Sequence, residues 1–179
     1  MGFSRSRLLD RQEVQTTLPV HQVDTKPAPR VTSFQFTVYG IPAPQGSKRF
    51  VGLSKRGRGI LIESSTKVRP WRVAVVCAAR EAIERAGLAW GPGGAVRGPI
   101  ALAVGFTLPR PASAPKKRKW PDRKPDLSKL VRSTEDALSD AGAWGDDARV
   151  VTLMAVKRYV GDPKAMSSPG AVINILEAA

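Results

Sequence analysis

The chain has 179 residues, a formal net charge of +14 and one cysteine, Cys77, and its length suits one domain with its own core. A lone cysteine excludes an intrachain disulfide and a zinc cluster built from cysteines, and no apolar run reaches the roughly 20 residues of a membrane helix. The N-terminal sequence MGFSRSRLLDRQ lacks the apolar region of a secretory signal, so we expect a cytoplasmic protein.

Hydropathy patterns predict a flexible arm at residues 1–32, which lack periodicity, and one α+β domain at residues 33–179. The predicted order is β-ββ-α-β-α-β-β, in which two main helices pack against a mixed sheet. The expected elements are a strand at 34–40, a hairpin at 50–64 that turns at KRGRG, a helix at 66–86, a strand at 100–108, a helix at 126–142, and strands at 149–159 and 171–176.

Positive charge is concentrated in two predicted loops. Residues 48–58 contain five cations and no acid, and residues 110–124 contain seven cations and one acid. This concentration favours nucleic-acid binding over a basic composition that only follows Arg-rich coding. Trp120 in the second loop suits either stacking on a nucleobase or packing as an anchor. The side chains that we expect to bind DNA are Lys48, Arg49, Lys55, Arg56, Arg58, Lys116, Lys117, Arg118, Lys119, Arg123, Lys124 and Lys157.

Acidic side chains flank the second predicted helix. Asp126 lies where the helix begins, and Asp146 and Asp147 lie where the next strand begins. If the helix packs antiparallel on that strand, we expect Asp126 and Asp147 to converge. Carboxylate oxygens are ligands that Mg²⁺ prefers, and Mg²⁺ can activate water for attack on a phosphodiester. The alternatives are an N-cap role for Asp126 and ordinary turn chemistry for the pair.

One face of the same helix carries further polar side chains. At 100° per residue, Ser128, Arg132 and Glu135 lie within about 60° of one another. They are either part of a site or solvated helix charges. The only histidine, His21, falls in the predicted arm. A nuclease built on this chain would therefore depend on carboxylates and metal rather than on a catalytic histidine.

The segment from Asp126 to Val151 resembles the RusA family of Holliday junction resolvases, which are common in phages and prophages. The family pattern is a D-x-D-x-x-x-K helix start, a D-A-L step, and a D-D pair that leads into a strand. The corresponding residues here are Asp126, Asp136-Ala137-Leu138 and Asp146-Asp147, and PAPQGSKR at 42–49 and SSTKVRPW at 64–71 add weaker similarity. The resemblance covers about residues 33–178. It implies a homodimeric endonuclease of the bacterial or phage-infected cytoplasm that cuts four-way junctions by paired, Mg²⁺-dependent nicks.

By position, Asp126 and Asp147 match the family's metal-binding aspartates, and Asp146 is the neighbour of the second. Ser128 stands where the family has another aspartate. Arg132 stands where it has a catalytic lysine, and it keeps the positive charge in a planar, forked form. The resemblance therefore implies that Asp126, Asp147 and Arg132 take part in catalysis, with Asp126, Asp147 and Asp146 at the metal.

Glu135 offers a replacement for the missing carboxylate. It lies two turns after Ser128 on nearly the same face, and its side chain is longer than that of aspartate. We hypothesise that the carboxylate has moved from position 128 to position 135, so that Glu135 is a catalytic residue and a metal ligand. The alternative is an ion pair between Glu135 and Arg132 at i, i+3.

Three other functions compete with a junction resolvase. One is a branched-DNA-binding protein that keeps the scaffold and does not cut. Another is a nuclease of the same chemistry that prefers flaps or forks. The last is a ribosome-associated basic protein, which would have no acids gathered for a metal.

Overall fold

The computed structural model of the protein describes residues 33–46, 48–54, 56–63, 66–89 and 93–178. The predicted arm at residues 1–32 lies outside the described residues. Within them the predicted element order is confirmed. The elements are β1 (Ser33–Tyr39), β2 (Lys48–Leu53), β3 (Gly59–Glu63), α1 (Val68–Arg85), β4 (Ile100–Leu108), α2 (Leu127–Ala141), a 3-10 turn (Asp147–Arg149), β5 (Val150–Tyr159) and β6 (Gly170–Glu177). None of the helices in the described ranges is long and apolar enough to cross a membrane.

Four strands form one mixed sheet in the order β1-β6-β4-β5. β6 pairs antiparallel with both β1 and β4, whereas β5 pairs parallel with β4. β2 and β3 form a separate two-stranded hairpin. The predicted α+β class, with a mixed sheet and two helices, is therefore confirmed.

The core lies between one face of the sheet and the two helices. Alternate residues of β1, such as Phe34 and Phe36, and of β4, such as Leu102, are buried, as the period of two predicts. Trp71 of α1 is 2% exposed, and its indole Nε1 donates a hydrogen bond to Thr134 Oγ1 of α2 at 3.3 Å. Burial of each large apolar side chain contributes roughly 1.5–3 kcal/mol, which fixes α2 against α1.

The path from α2 into β5 decides which residues meet. α2 ends at Ala141 and is capped by Gly142, whose φ of 79° suits a residue without a Cβ, and the 3-10 turn leads directly into β5. β5 then runs back along α2, so its far end reaches the beginning of the helix. There Lys157 Nζ donates hydrogen bonds to the carbonyl oxygens of Pro125 at 2.8 Å and Arg123 at 2.9 Å.

This path corrects one geometric expectation. When a strand returns antiparallel to the helix before it, the end of the strand reaches the beginning of the helix. Lys157, and not Asp147, therefore lies near Asp126 within one chain. Asp147 stays at the other end of α2.

β5 is an edge strand of the four-stranded sheet. Three large apolar side chains in its first half are exposed: Val151 by 62%, Leu153 by 49% and Met154 by 70%. A long edge strand with exposed apolar side chains is a ready surface for pairing with another strand.

Candidate metal and DNA-binding site

Asp126 is the residue before the first turn of α2, but its side chain forms no cap hydrogen bond. The carboxylate is half exposed, and Oδ2 lies 3.4 Å from Lys129 Nζ. It lines a cavity of about 330 Å³ together with Gln45 and Lys124. The backbone N–H of Gln45 donates to the carbonyl oxygen of Lys129 at 2.9 Å, which holds the PAPQG loop beside the helix start. The carboxylate of Asp126 is therefore free of the capping role.

Asp147 is exposed at the opposite end of α2, and two side chains orient it. Its Oδ1 accepts hydrogen bonds from Trp144 Nε1 at 2.9 Å and from Ser139 Oγ. Trp144 is only 1% exposed, so the donor is fixed by the core. Among the described residues no donor reaches Oδ2, and this oxygen can bind a cation or water.

Glu135 lies one turn before Ser139 on the helix face that ends at Asp147. Burial raises the pKa of the Glu135 carboxyl above its usual 4.5, and the negative charges of Asp147 and then Asp136 raise it further. Glu135 and Asp147 are therefore close enough to repel each other. No ion pair joins Glu135 to Arg132 in the described ranges, so the alternative role of Glu135 is not realised in this structure.

The side chains of Asp146 and Asp136 each contact groups other than Asp147. Asp146 Oδ1 accepts a hydrogen bond from the backbone N–H of Ala148 at 2.7 Å and so caps the 3-10 turn. Asp136 Oδ2 lies 3.5 Å from Arg72 of α1, which also binds Asp140. Asp136 and Asp140 are thus both bound by Arg72 of α1.

The two ends of α2 hold different parts of the predicted site. Ser139 lies in the last turn of α2, so its partner Asp147 is about 20 Å from Asp126 along the helix axis, at 1.5 Å per residue. The described residues contain no group of three acids, histidines or cysteines placed to hold a metal. One chain brings Glu135 and Asp147 together, and it holds Asp126 apart from them.

Ser128 and Arg132 are both exposed on the α2 face that carries Glu135, as the helical spacing predicts. They lie between the two ends of the helix. Arg132 presents a guanidinium on this face, while Ser128, in the first turn, presents only a hydroxyl.

The basic loop at residues 109–125 leads straight into Asp126 and is held by hydrogen bonds. Arg110 donates to the carbonyl oxygens of Pro115 at 2.8 Å and Lys116 at 3.2 Å. Lys157 fixes the other end of the loop through its two carbonyl contacts. The backbone of the loop is therefore held in place beside Asp126.

The predicted DNA-binding side chains fall into three groups. Those that are exposed are Arg56, Arg58, Lys116, Lys117, Lys119, Arg123 and Lys124. Arg118 and Lys157 are half-buried, the first beside Asp122 at 3.4 Å and the second on the loop carbonyls. The backbones of Lys48 and Arg49 lie in β2, but their side chains are outside the described part of the chain, as is the whole of Lys55.

Sequence reasoning missed the residues that orient Asp147, and it expected Lys157 to bind DNA rather than to hold the loop. Trp144 and Ser139 hold Asp147, and Lys157 holds the loop before Asp126. A signal for Trp144 was present, because a buried indole N–H needs an acceptor and Asp147 follows three residues later. The contact of Lys157 depends on the path of β5 and has no local sequence signal.

A family model described as Endodeoxyribonuclease RusA matches residues 41–166. The matched range runs from the loop beside Asp126 through α2, Asp147 and β5. No individual curated protein matches the sequence.

Proposed function

Since the chain belongs to the RusA family of endodeoxyribonucleases, we propose that it resolves Holliday junctions as a homodimer, by paired Mg²⁺-dependent nicks, in the cytoplasm of a bacterium or a phage-infected host. The observation that carries the proposal is the match to the endodeoxyribonuclease family model over residues 41–166, a range that includes Glu135 and Asp147. On a chain of charge +14, a half-buried Glu135 and an exposed Asp147 whose negative charges interact need a reason. A divalent cation between them supplies one.

The donor set fits a hard divalent cation. Asp147 has one oxygen fixed by Trp144 and Ser139, and Glu135 presents a carboxylate beside it. Both offer oxygen ligands, which Mg²⁺ prefers to nitrogen or sulfur. When bound, Mg²⁺ supplies charge that compensates the phosphate and lowers the pKa of a coordinated water.

A second copy of the chain is proposed to supply Asp126. Pairing of two β5 edges about a two-fold axis is antiparallel, so the start of one strand lies beside the end of the other. The start of β5 follows Asp147, and its end carries Lys157, which contacts Pro125 next to Asp126. Pairing of this kind brings Asp147 and Glu135 of one copy toward Asp126 of the other. It also covers Val151, Leu153 and Met154.

The protein's own side chains then divide the work. Trp144 and Ser139 keep the Asp147 carboxylate in one orientation. Arg132 holds the phosphate and stabilises the negative charge that grows on it during in-line attack. The exposed cations of the β2–β3 turn and of the loop at residues 109–125 hold the DNA arms. Asp146, as the cap of the 3-10 turn, keeps Asp147 in place.

The proposal is tested by cleavage of a synthetic four-way junction in Mg²⁺ and in EDTA, with flaps and duplexes of the same sequence beside it. Asp126→Asn and Asp147→Asn are expected to abolish cutting and to keep junction binding. Binding without cutting in Mg²⁺ would indicate the non-catalytic protein. Faster cutting of flaps than of junctions would indicate the other nuclease.

A further inference from the structure

Trp120 is an exposed aromatic ring in the most basic loop of the protein. Its exposed fraction is 52%, although tryptophan usually serves as a buried anchor. Exposed cations lie close to it in the sequence of the loop, namely Lys117, Lys119 and Arg123. The alternative role, packing in the core, is therefore not the one that this tryptophan has.

The ring is nevertheless held in place. The guanidinium carbon of Arg158 lies 4.7 Å from the centre of the Trp120 ring, so the planar cation covers the ring. Arg158 NH1 in turn lies 3.2 Å from Asp162 Oδ2, and both side chains are about four-fifths buried. A carboxylate, a guanidinium and an indole thus form a chain of contacts that ends at the surface.

Asp162 itself is fixed by the turn after β5. The backbone N–H of Lys164 donates to Asp162 Oδ1 at 2.8 Å. This hydrogen bond, together with that from Arg158, holds the pKa of Asp162 below its usual range. The carboxylate therefore stays charged, and Arg158 keeps its partner at the pH of the cell.

We propose that Trp120 is a stacking site for an unpaired nucleobase, and that Arg158 and Asp162 are positioning residues which hold its ring ready. A fixed, exposed ring among cations is the arrangement by which proteins bind single-stranded nucleic acid. Because the ring is already ordered, less conformational entropy is lost when a base stacks on it. Bases inside a duplex have both faces covered by their neighbours, whereas an unpaired base offers a free face.

The position of the ring relates it to the proposed cutting site. Lys157 and Arg158 are successive residues of β5, and they point to opposite faces of the sheet. Lys157 holds the loop beside Asp126, and Arg158 holds Trp120. The stacking site and Asp126 therefore flank the same end of β5. The inference deepens the proposed function, because it names the unpaired nucleotide as the part of the substrate that this loop binds, and it rests on that function for DNA as the partner.

The test measures binding in EDTA, so that no cleavage is involved. Two single strands of equal length are compared by fluorescence anisotropy: oligothymidylate, and the same backbone with abasic sites in the middle. Both carry the same phosphates, so the affinity ratio reports contacts with bases. The full chain is expected to bind oligothymidylate at least about five-fold more tightly, the lower end of what one stacked base contributes.

Variants then test whether the affinity ratio of the two strands depends on the Trp120 ring. Trp120→Leu is expected to bring it to about 1, while Trp120→Phe keeps part of it because a phenyl ring also stacks. Arg158→Lys keeps the charge and removes the planar group, and it should lower the ratio without changing the salt dependence. The matched control Lys119→Ala removes a cation of the same loop and should weaken binding to both strands equally.

The outcomes separate the two proposals. An unchanged ratio in Trp120→Leu, or a ratio of about 1 in the natural protein, overturns the stacking site. If Trp120→Leu fails to fold, as judged by its thermal melt, the ratios of Trp120→Phe and Arg158→Lys decide. If the protein binds oligothymidylate at least about five-fold more tightly but does not cut junctions in Mg²⁺, the proposed function is wrong and the stacking site stands. If the protein cuts junctions and its affinity ratio is about 1, the proposed function stands and the stacking site does not.

Discussion

Two inactive variants are expected to restore each other when they are mixed. In the proposed dimer each site takes Asp126 from one copy and Asp147 with Glu135 from the other. A mixed dimer of Asp126→Asn and Asp147→Asn therefore has one site in which both residues are changed. The other site of the mixed dimer is complete, because the Asp147→Asn copy supplies Asp126 and the Asp126→Asn copy supplies Asp147 with Glu135.

The size of the effect follows from the position of the two residues. Since α2 keeps Asp126 and Asp147 about 20 Å apart, one copy cannot use both at a single metal. Each variant alone should cut at least about a hundredfold more slowly, because it lacks a metal-binding charge at both sites. After equal mixing and random exchange, about half the dimers are mixed and have one complete site of two, so nicking should return to about a quarter of the natural rate.

A plasmid with an extruded cruciform distinguishes one cut from two. The natural dimer makes paired cuts and releases linear plasmid, whereas the mixed dimer is expected to leave nicked circles. Asp147→Asn mixed with Glu135→Gln is the matched control, since both changes lie at the same end of α2 and no complete site forms. If the first mixture stays as inactive as the control after exchange of subunits, the site does not combine the two copies and the reasoning is refuted.

Three further results are expected. Exchange of four loop cations for alanine should lower the slope of log affinity against log salt by about 3.6, at roughly 0.9 per phosphate contact, and an unchanged slope would remove the loop from the DNA-binding face; these cations are Lys116, Lys117, Arg118 and Lys119. Glu135→Gln should lose most Mg²⁺-dependent cutting, comparably to Asp126→Asn, and full cutting would rule out Glu135 as a ligand. The raised pKa of Glu135 means that the protonated carboxyl is favoured in the folded chain, so its contribution to stability is complete below pH 4.5 and is lost as the pH rises through the folded-state pKa. Glu135→Gln in EDTA should therefore melt at a higher temperature than the natural protein at pH 7 and at no higher temperature near pH 4, as calorimetry would show. A lower melting temperature at pH 7 would mean that the carboxylate has a favourable partner.

The order of strands and helices could be predicted because each element has a strong local pattern. β1 alternates buried and exposed residues along its whole length, and α2 has a buried stripe and a glycine at its end. The family resemblance could be predicted too, since the residues from Asp136 to Asp147 carry it and the family match includes them.

The placement of the site is harder to obtain from sequence. The expected meeting of Asp126 and Asp147 placed the start of the returning strand beside the start of α2, whereas the far end of β5 lies there. The exposure of Trp120 and the burial of Trp144 cannot be separated by residue type. The exposure of Trp120 and the burial of Trp144 depend on tertiary contacts, with Arg158 at the first ring and Asp147 at the second.

The proposed move of a carboxylate from position 128 to position 135 gains a physical meaning from the two-copy site. Position 128 is close to Asp126, and Glu135 is close to Asp147, so the move exchanges the copy that provides the charge. Aspartate at position 128 should then replace Glu135 of the other copy.

This exchange can be tested across the two copies. Mixing Glu135→Gln with the double variant Ser128→Asp/Asp147→Asn gives mixed dimers in which one site holds Asp126 and the new aspartate from one copy and Asp147 from the other. Glu135→Gln alone lacks the carboxylate beside Asp147 at both sites, and the double variant alone lacks Asp147 at both sites, so nicking should appear only in the mixture, at up to about a quarter of the natural rate. The double variant without Ser128→Asp is the control. If the mixture stays inactive while Ser128→Asp restores cutting to Glu135→Gln within one chain, positions 128 and 135 serve the same copy, and the proposed arrangement of the dimer is wrong.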